Sequence, residues 1–100
     1  MNMRAFQKPE TVPIYVEVRD TDTDELVDPS EGVLLTLTDP NMNVIFSEIP
    51  MTKKETGIYI YYWQPSEDSP TGWYKTRGLA VDGMGAGERS TVVLGGFYLQ

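Results

Sequence analysis

Residues 55–75 read ETGIYIYYWQPSEDSPTGWYK, and one short phrase occurs in them twice. Thr56-Gly57-Ile58-Tyr59 returns fifteen residues later as Thr71-Gly72-Trp73-Tyr74. A true repeat would continue its period outside this stretch, and nothing before Glu55 or after Lys75 does so. Two readings remain, an aromatic binding platform and a device that starts two strands. At period two, half of the aromatics must point inward, where rings fill a small core. The core reading is therefore preferred. Thr-Gly gives the chain a flexible corner at which glycine can adopt φ > 0. The tyrosine two residues on buries its ring and can bond its hydroxyl to backbone near that corner.

Strand signals run outward from here. Gly57, Tyr59, Tyr61 and Trp63 share one face and Ile58, Ile60 and Tyr62 the other, so this strand is expected to be central and at least partly covered on both sides. Gly72, Tyr74, Thr76, Gly78 and Ala80 alternate with Trp73, Lys75, Arg77, Leu79 and Val81. Ile14, Val16 and Val18 alternate with Tyr15, Glu17 and Arg19, and Val33, Leu35 and Leu37 with Leu34, Thr36 and Thr38. Asp39-Pro40-Asn41-Met42 is a turn. Asn43–Ile49 follows as a strand with Val44 and Phe46 on one side, ended by Pro50. Asp82-Gly83 opens a Gly-rich loop through Ser90, read as a mobile hairpin tip. Thr91–Leu99 is the last long strand, in which Gly95-Gly96 signals a bulge or a close backbone approach. No stretch has a useful helical period. The expected fold is all-β, a sandwich of about seven antiparallel strands in two sheets over residues 12–100. Residues 1–11 are expected to form an extended N-terminal arm outside the core.

Composition narrows function mostly by exclusion. One hundred residues suit a single domain. Cysteine and histidine are both absent, which removes disulfides, most nucleophile–base pairs and most zinc sites. The chain is expected not to be an enzyme, although a carboxylate-only mechanism stays chemically open. A net charge of −7 with only eight scattered basic residues argues against nucleic acid as partner. No apolar run approaches the ~20 residues of a membrane-spanning helix, and the first eight residues carry no signal-like apolar region. Gly83-Met84-Gly85-Ala86-Gly87 lacks the Lys-Ser/Thr of a phosphate loop, Glu67-Asp68 is too local for an acid–base pair, and Lys53-Lys54 reads as a charged turn.

The second informative stretch is Asp20–Glu31. Asp20, Asp22, Asp24, Glu25, Asp28 and Glu31 are six of the fifteen acids. Counted from Asp20, oxygen-bearing side chains fall at positions 1, 3, 5, 9 and 12 of a calcium loop, with Val27 at 8. Against this, Glu25 stands where the turn needs glycine, Pro29 disrupts the exit and the flanks are strands. The preferred reading is a solvated acidic connection whose Asp and Thr residues serve turns, with Leu26-Val27 as a short edge strand or core plug. Calcium is the one cofactor left open.

The second copy of the doubled phrase, Gly72-x-Tyr74, resembles the tyrosine corner of immunoglobulin-like sandwiches, with Thr76 where antibody domains carry cysteine. The order of Glu10-Thr11-Val12, Leu26-Val27-Asp28-Pro29, Thr38-Asp39-Pro40, Met51-Thr52, Thr56-Gly57-x-Tyr59-x-Tyr61, Gly72-Trp73-Tyr74, Asp82-Gly83 and Gly96-Phe97 is similar to bacterial immunoglobulin-like and macroglobulin-type domains. It also resembles small stand-alone immunoglobulin-like proteins found among tailed-phage structural genes. The resemblance covers roughly residues 9–99. It implies a non-catalytic structural or interaction protein, an accessory (decoration, neck or tail-associated) component of a phage virion. Such a protein would be assembled in the host cytoplasm, with other protein subunits as partners and membership of an oligomer. The alternative is a binding or spacer module of a larger bacterial cell-surface protein, with outward-facing Trp73 or Tyr62 beside the acidic loop. A carboxylate enzyme ranks last, because it needs two carboxyl groups facing one cleft.

Overall fold

The computed structural model describes residues 5–82 and 89–100. Residues 1–4 of the expected arm and the Gly-rich tip at 83–88 lie outside the described residues. Eight strands form: β1 (Ala5–Phe6), β2 (Val12–Glu17), β3 (Val33–Thr38), β4 (Val44–Pro50), β5 (Thr52–Glu55), β6 (Ile58–Trp63), β7 (Gly72–Asp82) and β8 (Arg89–Leu99). Among the described residues there is no helix. One sheet has the order β1-β8-β7-β3-β4 and the other β2-β6-β5. Neighbours pair antiparallel, except that β1 runs parallel to β8.

The two sheets pack face to face as a β-sandwich, because each presents one apolar row. The small sheet supplies Val12, Ile14, Val16 and Tyr59, and the large sheet supplies Val33, Leu35, Leu37, Tyr74, Ala80, Phe97 and Leu99, all in one buried cluster. Two-residue periodicity assigns these rows correctly. β6 is the centre of its sheet, with Tyr59 and Ile60 both buried on opposite faces, whereas Tyr62 is exposed. Gly78 sits under Val16, whose Cγ2 would lie 2.9 Å from a Cβ there, so the sheets come close at this point.

Three expectations change, and a fourth is resolved between its two alternatives. Ala5–Phe6 is not outside the core: it adds a strand to β8, and Phe6 is buried with its ring edge-on to Phe97 at 5.9 Å. The alternation in β4 breaks, because register shifts along the β3–β4 pair pair Phe46 with inward Leu37 but Val44 with outward Thr38. Phe46 packs on the core while Val44 is exposed, and the strand runs through Pro50 rather than stopping before it. Lys53-Lys54 belongs to β5 rather than to a turn. Gly95-Gly96 makes no bulge, since β7 and β8 stay in continuous register. It is the close-approach case: a Cβ on Gly96 would meet the Tyr74 carbonyl oxygen at 2.7 Å.

Phe6→Ala is expected to cost about 3 kcal/mol or more, through lost burial and a cavity beside Phe97. For a domain of this size that lowers the melting temperature by roughly 12 °C or more, measurable by circular dichroism. An unchanged melting temperature would return β1 to the status of a loose arm.

Candidate functional site

Both copies of the doubled phrase place glycine at positive φ, +73° at Gly57 and +139° at Gly72. Each glycine admits a neighbour that a side chain would displace. At Gly57 a Cβ would lie 2.8 Å from Leu26 Cβ and 2.9 Å from Val27 N. At Gly72 it would lie 3.0 Å from the Pro40 ring. The two glycines thus let the 20–31 connection and the Asp39-Pro40 turn press against the strands.

The tyrosines then diverge. Tyr74 is fully buried, stacks on Phe97 at 5.2 Å with rings 4° from parallel, and touches Trp63 at 5.1 Å. Its hydroxyl donates to the Pro70 carbonyl at 2.7 Å, the backbone bond expected at a corner. Burial first, and then the charge of Asp39, push its phenol above the usual tyrosine range. Tyr59 makes no such backbone bond. Its hydroxyl stands 3.5 Å from Asp28 Oδ1, while that same oxygen accepts the Gly57 N–H at 2.8 Å and Asp28 Oδ2 takes the Lys53 ammonium at 2.6 Å. Asp28 therefore ties the acidic connection to the first corner. The Lys53 hydrogen bond, then the Gly57 N–H, hold its carboxyl below the ordinary aspartate range. The doubled phrase is one kind of corner with two different anchors.

The acidic stretch is built as a turn. Arg19 bridges Leu26, Asp20 N–H donates to the Glu25 carbonyl, and Asp20 Oδ1 accepts the N–H groups of Asp22 and Thr23 at 2.8 and 3.0 Å. Those backbone bonds lower the Asp20 pKa. Val27 packs on the core, fulfilling the plug reading of Leu26-Val27. Asp20 and Asp28, positions 1 and 9 of the calcium pattern, thus serve different partners. Among the described residues no group of three or more carboxylates gathers around one point. The calcium-loop spacing is matched in sequence and not in space, because strand flanks and Glu25 give the chain a tight turn instead of a cage.

A cleft of about 140 Å³ opens between this turn and the β7–β8 pair, and Asp20, Asp82 and Thr91 are among the residues that line it. Asp20 is an ionised acceptor at neutral pH, the opposite of a general acid, and Asp82 Oδ1 accepts the Ser30 N–H at 3.0 Å. Their arrangement does backbone work. Glu67 and Asp68 stay in their loop, where the Ser66–Ser69 turn shapes the backbone.

The outward aromatics do not converge on the acidic turn. Trp73, edge-on to Tyr98 at 5.5 Å, lies on the outer face of the large sheet, and Tyr62 on that of the small one. Both are at the end of the sandwich opposite the turn, because β7 runs from Gly72 to Asp82 and β6 from Ile58 to Trp63. Sequence reasoning missed the large sheet's outer face as a whole. There Leu34, Leu79, Val92 and Leu94 run beside Lys75 and Arg77, and the β7–β8 register aligns them. The alternation of β7 carried the signal, but the partners opposite it needed the pairing. The chain matches no family model, no curated protein and no solved structure.

Tyr74→Phe is expected to cost about 1–2 kcal/mol, since the Pro70 carbonyl loses its donor, and Tyr59→Phe clearly less. Denaturant titration of the two variants checks the order. Acid provides a second test. Asp28 has a depressed folded pKa, so its contribution is complete above the ordinary aspartate value of about 3.9 and is lost as pH falls through the folded value. Asp28→Asn should therefore flatten the loss of stability on acidification, and an unchanged pH profile would remove Asp28 from that role.

Proposed function

We propose that the chain is a non-catalytic, immunoglobulin-like interaction module, an accessory component of a tailed-phage virion held among other protein subunits. The strand order supports the fold part of this reading. With β2, β6 and β5 as strands B, E and D, the other sheet reads G-F-C-C′ through β8, β7, β3 and β4, with β1 beside G. Tyr74 then stands near the start of strand F, and its hydroxyl returns to backbone four residues upstream, as in a tyrosine corner. The hydrogen bond is present although no cysteine follows at Thr76.

The observation that carries the functional part is the outward display of large apolar side chains from regular strands. Leu94 is 76% exposed, Tyr62 65% and Trp73 43%. Such groups on a rigid body favour protein–protein contact over chemistry. The virion assignment rests on the resemblance in motif order. A second reading, a module of a cell-surface protein, draws on the Trp73–Tyr98 pair as a contact platform.

The expected outcome is a reading frame beside capsid or tail genes whose product co-sediments with particles through a density gradient. A product that stays at the top of the gradient overturns the virion role. Recovery with the cell envelope as part of a longer chain would favour the second reading.

A further inference from the structure

We propose that β8 is a self-docking edge, through which two copies of this chain pair antiparallel about a two-fold axis near Val93, joining their large sheets into one. This rests on the reading of the chain as an interaction module and names one of its partners, a second copy.

β1 covers β8 only at Tyr98 and Leu99. Among the described residues no strand pairs with the far edge of Ser90–Phe97, about 26 Å of backbone. That run contains no proline and no charge. Of the four edge strands, β1 offers only Ala5–Phe6, and the other three are each obstructed. β5 carries Lys53 and Lys54 and a register shift, β4 has two register shifts, Glu48 at φ +52° and Pro50, and β2 has Pro13 and ends on Glu17. Obstructions of these kinds are how sheet edges resist pairing, and the Ser90–Phe97 run lacks them. Among the described residues β8 is thus the least obstructed edge, and a β8-on-β8 contact is isologous.

The side chains agree with that geometry. A two-fold axis through Val93 sets Val92 opposite Leu94 of the other copy, twice, covering side chains 45% and 76% exposed in the single chain. Thr91 then meets the glycine at position 95, where no side chain obstructs approach. On the outer face Leu94 and Gly96 pair with Arg77 and Lys75. Between Gly72 and Val81, and between Ser90 and Leu99, those two cations are the only charges in a chain of net −7. Neither belongs to an ion pair among the described residues. The charges on β7 of the two copies sit about three strand spacings apart, beyond the ~8 Å screening length of physiological salt, so they neither drive nor oppose the pairing. An interface this narrow is at the small end of specific contacts, so the pairing is expected to be weak and reversible.

Sedimentation equilibrium from about 1 µM to 1 mM should show a monomer–dimer equilibrium for the native chain. Leu94→Lys should weaken it at least tenfold while the melting temperature holds. Because the chain has no cysteine, a single introduced one can link only across copies. Val93→Cys should give a disulfide dimer on mild oxidation, since facing residues of antiparallel strands lie about 4.5–5.5 Å apart, within disulfide range. Val44→Cys on β4 should not. A native chain that stays monomeric throughout, a Leu94→Lys variant that dimerises as before, or equal cross-linking at Val44 would each overturn the proposal. A monomer that still co-sediments with particles would end the dimer and leave the attachment role standing.

Discussion

The two sheets are joined by a column of rings centred on Tyr74. No disulfide is available, so a hundred residues must hold their layers together by packing alone. Tyr74 stacks flat on Phe97 within its own sheet and meets Trp63 across the gap, and Phe97 meets Trp63 and Phe6 in turn. One hydroxyl bond to Pro70 fixes where the column starts. Gly96 is required at the same place, because the Tyr74 carbonyl occupies the space where a Cβ would be. Ring area supplies adhesion, and glycines set how near the backbones come.

At the other end of the molecule a different bond type does the fastening. Asp28 collects Gly57, Lys53 and Tyr59 and so pins the 20–31 connection to β5 and β6. This junction is electrostatic and solvent-facing, whereas the ring column is apolar and dry. Acid loosens the first. Alkali loosens the second, because the raised phenol pKa of Tyr74 stabilises the folded state only until pH rises through it. The sandwich therefore has one fastening sensitive to each extreme of pH.

Much of this was legible in the sequence. Period-two alternation identified the inward rows of β2, β3, β6 and β7, because each faces a continuous core. The doubled Gly-x-Tyr phrase revealed both corners, since only a glycine tolerates those backbone angles beside a close neighbour. What escaped depended on partners distant in the chain. Phe6 lies in a strand of two residues with no periodic context, so its burial follows from its β8 partner Leu99, over ninety residues away. The phase of Val44 is set by irregular pairing with β3 and not by its own neighbours. Tyr59 and Tyr74 look alike locally, and only the position of Asp28 separates their roles. The calcium spacing of Asp20–Glu31 was likewise a pattern in one dimension that the strands flanking it do not allow in three.

The two tryptophans occupy contrasting places. Trp63 is half-buried in the ring column, against Tyr74 and Phe97, while Trp73 stands on the outer face beside Tyr98. The molecule thus carries two built-in optical probes, one emitting from the interior and one from the surface. Replacing either by phenylalanine would leave a single indole whose emission follows, respectively, the loosening of the layers or the wetting of the sheet's outer side.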